Sequence, residues 1–532
     1  MTVQVLIGLM LAVLIAAAAY RRGSLSVSGA VGAVIVGTIT FGVGGWGAGV
    51  LLVLFFVSSS ALSHYREAFK EQLGDKFSKG HRRDLWQTLA NGGIGAVCLI
   101  GQLIAPNPLW WAGFVGAIAT VNADTWATEL GVLARNRPIL LTTGQSVEPG
   151  TSGAITATGT TAALAGSAVI ALVGGLFTWQ DGLGPALAIA LGGTLAGLLG
   201  SLFDSLLGAT VQAIYFVDAL GKETEQHPLH RSGHPTRHIR GWAWLNNDLV
   251  NFVASIVGAA LAAGLLLIAA DRQLMMQRWR LLVRPSTDLP DAELTRIFYV
   301  SSFIGSFLPA GVGGDAARAY AVGRHLGNSG PALASVVVDR WLGLLAVAIS
   351  GCGGLLVSLH LVPDAARTLV VVATVLLLAG SLVGMWADRL ATSLMPPAAL
   401  HTRPGRIVMR LATAIGDYRR HGGLLGRVMA LSFVVQAVRI LLAWSIGYGL
   451  GLTLPLKYYW VFMPLNILVI LLPLSMGGFG LPQGTMIWTL GPLGVDPTRA
   501  FLLSTLFVAA GIVGNIPGAW MYLTGSRTPA RT

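Results

Sequence analysis

The chain is built from long apolar runs that are separated by short polar stretches. Nine of the runs are each long enough to cross about 30 Å of hydrocarbon, which takes roughly 20 helical residues. Together with shorter or re-entrant segments, they predict an all-α, polytopic membrane protein with about 13–15 helices in two bundles. The nine runs are Met1–Tyr20, Val27–Leu62, Ile155–Phe177, Pro185–Phe203, Leu249–Ala270, Ala332–Leu361, Thr368–Trp386, Val428–Leu454 and Phe501–Leu523.

The composition supports the membrane class. Hydrophobic residues make up 54% of the chain and charged residues only 11%, with a mean hydropathy of +0.69. A soluble domain carries about 25% charged residues, so this chain lacks the polar surface that a water-exposed globule needs. Its two cysteines, Cys98 and Cys352, lie in separate apolar runs and indicate neither a disulfide framework nor a metal site. Basic and aromatic residues are not interleaved along the chain, so the sequence does not indicate nucleic-acid binding.

The net charge of +12 is divided unevenly along the chain. Up to Ala270 there are 14 Lys and Arg against 13 Asp and Glu, whereas the remainder has 21 against 10. This shift predicts two units, 1–268 and 269–532. The basic excess is typical of cytoplasmic loops beside anionic lipid headgroups, so we expect a multi-pass protein of the cell inner (plasma) membrane.

Two basic clusters give conflicting predictions of topology. Arg231–Arg240 and Arg272–Arg284 are separated by a single apolar run, Leu249–Ala270. The positive-inside rule places both clusters in the cytoplasm, which one crossing does not allow. Either one cluster lies outside, or the run does not span the membrane.

Polar stretches in the first half are functional candidates, because a charge inside a membrane costs about 2.5–3.5 kcal/mol on insertion scales. Lys79, Arg82 and Arg83 precede a predicted helix that carries Gln87 and Asn91 on one face. Basic side chains beside a helix N-terminus suit phosphate. A solvated positive-inside loop is the alternative.

Two carboxylates, Asp124 and Glu129, lie in a polar stretch that follows an apolar run. Oxygen ligands of this kind suit Mg²⁺ bridged to phosphates. Because the two residues are five apart, they lie on different faces of a helix and would need other partners to chelate an ion. A capping or packing pair is the alternative.

A glycine- and hydroxyl-rich turn feeds the next apolar helix. Such a turn can present backbone N–H groups to phosphate, but it lacks the ending of a P-loop and an ordinary surface loop is equally compatible. Its candidate residues are Glu148, Gly150, Thr151, Ser152 and Gly153.

A fourth polar stretch lies on one stripe of a predicted helix, where Gly200 and Gly208 flank Asp204. Glycines beside a carboxylate let a bulky ligand approach the backbone. Asn247 and Asp248 open the next apolar run and offer oxygen atoms to a metal or a ribose.

Taken in order, these stretches resemble the integral-membrane family that includes plant and cyanobacterial phytyl-phosphate kinase, over about residues 1–265. The resemblance implies phosphoryl transfer from a nucleoside triphosphate, such as CTP, to a prenyl monophosphate in the membrane. The positive-inside rule places the loops of this kinase-like half in the cytoplasm.

Site roles follow from that chemistry, in which positioning and charge neutralisation dominate. We assign catalysis to four acidic residues and Mg²⁺ binding to three of them, and we expect basic, amide and turn residues to bind phosphate, nucleotide or acceptor. The catalytic candidates are Asp124, Glu129, Asp204 and Asp248, of which Asp124, Asp204 and Asp248 are the metal candidates; the binding candidates are Lys79, Arg82, Arg83, Asn91, Asn247 and the turn residues Glu148, Gly150, Thr151, Ser152 and Gly153.

A repeated motif marks the second half. Residues 308–314 and 472–478 both read Leu-Pro, three residues, then Gly-Gly. Paired Pro- and Gly-broken segments in two halves indicate discontinuous helices at a transport site, whereas kinks that serve packing alone are the alternative. We expect an Arg318–Asp339 ion pair, with Arg439 as a further charge in need of a partner. The transport candidates are Gly313, Gly314, Asp315, Arg318, Asp339, Arg340, Gly477 and Gly478.

This half, from about Arg278 to Gly518, resembles the flippase-like family defined by the transmembrane domain of lysylphosphatidylglycerol synthase. The resemblance implies translocation of a lipid headgroup between leaflets. Gln483 stands where relatives usually have Glu, which weakens a proton-coupled or cationic-headgroup role. The leading hypothesis is a prenyl-phosphate kinase-like enzyme joined to a flippase-like module; the alternatives are a transporter whose first half binds lipid phosphate without catalysis, and a scaffold subunit of an envelope-lipid pathway.

Overall fold

A computed structural model describes residues 2–65, 82–308, 312–327, 329–358, 364–396, 402–470 and 478–524. These residues form 18 helices and five short strands, which confirms the predicted all-α membrane architecture. Ten of the described helices are long and apolar enough to cross a membrane. The described chain separates into two compact units, Met1–Leu266 and Leu267–Thr532.

The first unit is a helical bundle with two small antiparallel sheets. One sheet pairs β1 with β2, and the other has the order β4-β3-β5. The helices are α1 (Thr2–Arg21), α2 (Val27–Gly42), α3 (Gly45–His64), α4 (Leu85–Ile104), α5 (Pro108–Gly131), α6 (Ala157–Leu176), α7 (Leu183–Thr210) and α8 (Asn247–Val283), which continues into the second unit; the strands are β1 (Ile139–Leu140), β2 (Ala154–Ile155), β3 (Ile214–Val217), β4 (Lys222–Thr224) and β5 (Arg237–Arg240).

The apolar run Val27–Leu62 contains two helices rather than one. The chain breaks between α2 and α3 at Gly45, whose φ of 72° lies in the left-handed region. Only glycine adopts that conformation without steric cost. The break is not visible in the hydrophobic pattern, because the residues on both sides of it are apolar.

Small residues bring α5 and α7 into close contact. A Cβ atom added to Gly197 would lie 2.8 Å from the Ala119 Cβ, and one added to Gly200 would lie 2.6 Å from the Thr120 Cγ2. Such contacts allow the backbones of membrane helices to approach each other. The residue numbers at successive contacts increase together along both helices, so α5 and α7 run in the same direction.

The basic cluster Arg272–Arg284 is largely helical rather than a loop between two crossings. Helix α8 continues through Arg272 to Val283 and has 37 residues, which corresponds to about 55 Å at 1.5 Å per residue. Arg272 and Arg278 face the interior of the second unit. The cluster is therefore part of a helix rather than a loop, and the side of the membrane on which each basic cluster lies stays a prediction.

The second unit contains two pairs of short helices close to its Gly-Gly motifs, and the first motif lies in the first turn of one of them, Val312–Leu326. Helices α9 and α10 have 15 residues each, and α16 and α17 have 15 and 10. None of these four is long enough to cross a bilayer alone. The helices of this unit after α8 are α9 (Asp291–Gly305), α10 (Val312–Leu326), α11 (Ser329–Ser358), α12 (Asp364–Gly384), α13 (Ala387–Leu394), α14 (Arg403–Asp417), α15 (Gly422–Gly449), α16 (Leu456–Ile470), α17 (Leu481–Leu490) and α18 (Pro497–Thr524).

Candidate functional sites

A polar cavity of about 610 Å³, here called the first-unit cavity, lies where the separated motifs of the first unit meet. Its volume is within the range of small-molecule sites, about 300–1,000 Å³. Ten of the predicted site residues line it: Arg83, Asn91, Asp124, Glu129, Gly150, Thr151, Ser152, Gly153, Asp204 and Asn247. The tertiary structure therefore assembles most of the predicted set, whereas the role of each residue stays a prediction.

Two carboxylates from neighbouring helices face this cavity together. Since α5 and α7 are parallel and touch at Thr120 and Gly200, one further turn brings Asp124 and Asp204 to the same level. Asp204 is 9% exposed, and within the described structure its Oδ2 has no hydrogen-bond partner. The charges of Asp124 and Glu225 both act on Asp204.

Glu225 is a cavity residue that the sequence analysis missed. The Ser152 hydroxyl donates to the Gln212 Oε1 at 3.1 Å, and the Gln212 amide donates to Glu225 at 2.8 Å. This chain of hydrogen bonds joins the glycine-rich turn to the residue that follows β4. No sequence signal singles out Glu225, because the short sheet that folds it back towards the cavity has no hydrophobic periodicity.

Arg83 is held at the edge of the cavity by its backbone. Its N–H donates to the Ser24 carbonyl at 3.1 Å, and its carbonyl accepts from the Ser26 N–H at 3.0 Å. The guanidinium lies 5.3 Å from the centre of the Phe55 ring. Burial lowers the pKa of Arg83 and the nearby charge of Glu129 raises it, so a fixed cation faces the cavity.

The expected set of three metal-binding carboxylates is not assembled. Asp248 does not line the cavity, although its neighbour Asn247 does, because consecutive residues of a helix point about 100° apart. Among the residues that the structure describes, no three His, Cys, Asp or Glu side chains converge as metal ligands. The assignment of Asp248 to a shared metal is therefore corrected.

Three other phosphate candidates also lie off the cavity wall or outside the described residues. Arg82 is exposed and does not line the cavity. Glu148 is exposed as well, and its backbone carbonyl accepts a 2.8 Å hydrogen bond from the Thr151 hydroxyl. Lys79 lies outside the described residues.

The charges that line the first-unit cavity are compatible with a bound cation. Its described lining carries four carboxylates and two guanidinium groups, a formal net charge of −2 when all are ionised, from Asp124, Glu129, Asp204, Glu225, Arg83 and Arg231. Mg²⁺ that is bound largely through substrate phosphates needs only one or two protein carboxylates. Asp124 and Asp204, with its unpartnered oxygen, fit that requirement.

A narrow apolar pocket of about 80 Å³ adjoins this cavity. It is walled mainly by aliphatic and aromatic side chains of α1, α2 and α3. Arg83, Gln87 and Asn91 line both the pocket and the polar cavity. The two spaces therefore meet at one basic and two amide side chains.

A second cavity, of about 310 Å³ and here called the second-unit cavity, is lined by residues of α8, α9, α10, α11, α15, α16 and α18. Six of the transport candidates line it: Gly314, Asp315, Arg318, Asp339, Arg340 and Gly478. Gly313 does not line it, because it packs against Leu308 instead. Gly477 lies outside the described residues.

The expected charge pairing in this cavity is found, with additional partners. Arg318 lies 3.7 Å from Asp339, and Arg278 donates to the same carboxylate at 2.7 Å. Arg340 forms an ion pair with Asp315. Arg439, which lacked a partner in the sequence analysis, pairs with Asp271 at 2.7 Å.

Gln483 has a structural contact rather than a place on the cavity wall. It is 3% exposed, and its Oε1 accepts from the Gly480 N–H at 2.7 Å at the start of α17. Its amide donates to the Gly478 carbonyl at 3.4 Å. The side chain thereby holds the turn that follows the second Gly-Gly motif.

Comparison with known proteins finds a different family for each half of the chain. Residues 10–259 match the family Integral membrane protein DUF92, and residues 238–518 match the Lysylphosphatidylglycerol synthase TM region. The chain belongs to both families. The DUF92 part carries the first-unit cavity, and the synthase TM region carries the second.

Three relatives of the DUF92 part illustrate its spread. Protein PGR of Arabidopsis thaliana is 34% identical over 274 residues, which is 47% of this chain and 92% of that protein. An uncharacterised membrane protein of Methanocaldococcus jannaschii is 32% identical, covering 48% of this chain and 94% of its own. Protein VTE6, chloroplastic, of Arabidopsis thaliana is 28% identical, covering 48% and 67%. No solved structure matches the chain significantly.

Proposed function

We propose that the DUF92 unit transfers a phosphoryl group from CTP, or another nucleoside triphosphate, to a prenyl monophosphate. One observation carries the proposal: the polar cavity and the apolar pocket share Arg83, Gln87 and Asn91. A prenyl phosphate has the same division, with a polar head joined to an apolar chain. The part of its chain nearest the phosphate would occupy the pocket, and its phosphate would lie beside Arg83. The resemblance to phytyl-phosphate kinase supports this choice of substrate.

The reaction joins an oxygen of the prenyl phosphate to the terminal phosphorus of the nucleotide. The bond from that phosphorus to the β-phosphate oxygen breaks, which leaves a prenyl diphosphate and a nucleoside diphosphate. Most of the catalysis in such transfers is positioning and charge stabilisation. Arg83 would orient the acceptor phosphate, and the backbone N–H groups of Gly150, Ser152 and Gly153 would bind the nucleotide phosphates.

Asp124 and Asp204 would hold Mg²⁺ on the nucleotide phosphates. When bound, the ion supplies charge neutralisation in a cavity whose lining is net negative. Glu225, tied by Gln212 to the glycine-rich turn, would keep the turn next to these carboxylates.

A direct assay tests the enzyme proposal. Purified full-length protein is incubated with CTP, Mg²⁺ and prenyl monophosphates of different length, and the products are analysed by mass spectrometry. We expect a prenyl diphosphate and CDP, and no product from Asp124→Asn. Asp218→Asn is a matched control, because Asp218 is 66% exposed. Full activity in Asp124→Asn would remove Asp124 from the site, and absence of nucleotide binding would favour a lipid transporter with a non-catalytic first half.

For the Lysylphosphatidylglycerol synthase TM region, we propose translocation of a lipid headgroup. Three of the four short helices, α9, α10 and α16, border one charged cavity, and broken helices also surround the substrate sites of transporters with discontinuous helices. A leaflet-translocation assay in proteoliposomes with fluorescent phospholipids tests this unit separately from the first. We place the protein in the plasma membrane with its phosphate-handling loops in the cytoplasm, where CTP is available.

A further inference from the structure

We propose that the second-unit cavity binds the phosphate group of an anionic lipid headgroup through Arg272 and Arg439. Neither arginine is among the candidates that the Gly-Gly motifs singled out. The inference depends on the translocation function proposed above in one respect, namely that the ligand is a lipid. The phosphate chemistry comes from the charges that line the cavity.

The described lining of this cavity is net positive. It contains five arginines and three aspartates, and therefore a net charge of +2, from Arg272, Arg278, Arg318, Arg340, Arg439, Asp271, Asp315 and Asp339. Buried charge that lacks a counterion is costly, so a space of this sign is favourable for an anion. The lining of the first-unit cavity has a net charge of the opposite sign, so an anion there would need an accompanying cation. An anion in the second-unit cavity would not.

The Asp271 carboxylate forms ion pairs with two guanidinium groups. Arg272 lies 2.6 Å and Arg439 2.7 Å from opposite oxygens of Asp271. The Asp271 side chain is 5% exposed, and those of Arg272 and Arg439 are 13% and 17% exposed. This cluster, which we call the Asp271 cluster, therefore has one positive charge without a protein counterion.

Arg272 also has a free donor. One terminal nitrogen contacts Asp271 and the other donates to the Asn515 side chain at 3.1 Å. Its buried Nε has no hydrogen-bond partner within the described structure. Guanidinium groups bind phosphate oxygens through several donors at once. The Asp271 cluster thus offers both the charge and a donor that a phosphate would use.

The other arginines of the cavity are more fully engaged. Arg278 and Arg318 share Asp339, with side chains that are 5% and 7% exposed. The Arg318 guanidinium also lies over the Phe298 ring, 4.8 Å from its centre. These two residues hold helices together, so we assign phosphate binding to the Asp271 cluster instead.

An unused acceptor suggests a hydroxyl-bearing headgroup. Gln436 lines the same cavity and is 1% exposed, and its Oε1 has no hydrogen-bond partner in the described structure. That oxygen would accept from a hydroxyl of a glycerol-type headgroup. Because all three lining aspartates are already paired with arginine, a cationic headgroup would find no free carboxylate. Phosphatidylglycerol is therefore the chosen probe.

Native mass spectrometry of the full-length protein in detergent tests the proposal. The probes are phosphatidylglycerol, phosphatidylcholine, lysylphosphatidylglycerol and inorganic phosphate. We expect phosphatidylglycerol to bind about tenfold or more tightly than phosphatidylcholine or lysylphosphatidylglycerol. Arg272→Gln should weaken the binding of phosphatidylglycerol about tenfold. Asp271→Asn should strengthen that binding, since the Asp271 carboxylate competes with the lipid phosphate for the arginines. A purely structural role would move both variants in the same direction.

Controls separate this site from the first unit and from folding. Arg410→Gln removes an exposed arginine of the second unit and should leave binding unchanged. Asp124→Asn should lose phosphoryl transfer but keep lipid binding, and Arg272→Gln should do the reverse. Arg439→Gln replaces Arg272→Gln if the latter does not fold. Binding of inorganic phosphate alone, lost in Arg272→Gln, would support the phosphate site and identify a soluble ligand. Equal binding of phosphatidylglycerol and phosphatidylcholine, or unchanged affinity in both arginine variants, would overturn the proposal.

Discussion

Gly200 lies so close to Thr120 that a single added methyl group would collide with the threonine side chain. The contact matters because Asp204 and Asp124 lie one helical turn beyond it, where both face the first-unit cavity. The spacing between α5 and α7 therefore sets the spacing of two carboxylates. Packing and the proposed chemistry depend on the same pair of helices.

Replacing Gly200 should damage stability and activity together. In Gly200→Ala the new Cβ would lie 2.6 Å from the Thr120 Cγ2, and such overpacking typically costs about 1–3 kcal/mol. We expect a lower thermal unfolding midpoint in detergent and less prenyl diphosphate. Gly184→Ala is the control, because a Cβ there meets nothing within 4 Å and alanine favours a helix. Equal midpoints for the two variants would argue against tight packing at Gly200.

Neutralising Asp204 should separate function from stability. Its buried Oδ2 lacks a partner in the described structure, and Asp124 and Glu225 are like charges nearby. Asp204→Asn should therefore fold at least as stably as the wild type and lose phosphoryl transfer about a hundredfold or more. Thermal unfolding and product formation are measured on the same preparation, with the exposed Asp181→Asn as control. A large loss of stability with activity retained would assign Asp204 a structural role.

The neighbouring arginines 82 and 83 offer a matched test of phosphate binding. Arg83 lines both the polar cavity and the apolar pocket, whereas Arg82 is exposed and lines neither. A charge-assisted hydrogen bond is worth about 1.5–3 kcal/mol, so Arg83→Gln should raise the KM for prenyl phosphate about tenfold or more. Arg82→Gln should change it less than about twofold. Equal effects would show that general surface charge, rather than the cavity, attracts the substrate.

A buried ion-pair network should contribute more to the second unit than a surface pair. Asp339 contacts Arg278 and Arg318, and its side chain is 8% exposed. Removing one partner of a buried pair costs about 3–5 kcal/mol, so Asp339→Asn should lower the thermal unfolding midpoint markedly. Asp364 is 92% exposed and pairs with Arg367. Asp364→Asn should therefore lower the free energy of unfolding by only about 0–1 kcal/mol. A midpoint for Asp339→Asn as high as that for Asp364→Asn would contradict the network's importance.

Some of the candidate site was predictable from residue chemistry. Asp124 and Asp204 are charged residues in otherwise apolar helices, and the cost of a charge in a membrane makes them functional candidates without any knowledge of the fold. Glu225 and Asp271 are different. Glu225 lies in a polar segment where a carboxylate is ordinary, and Asp271 follows an apolar run beside Arg272, as if it began a loop.

The membrane class and the helical architecture follow from the sequence, because apolar runs of about 20 residues satisfy their backbone hydrogen bonds in lipid as helices. The resemblance to the two families follows from motifs that occur in order along the chain. Apart from the expected Arg318–Asp339 pair, which charges face each other was decided only by the tertiary structure. Helical periodicity fixes the face of a single helix, but contacts such as Gly200 with Thr120, or Arg439 with Asp271, depend on how separate helices pack, and that depends on side-chain shapes distant in the sequence. For the same reason Asp248, next to Asn247 in the chain, lies off the cavity wall that Asn247 lines.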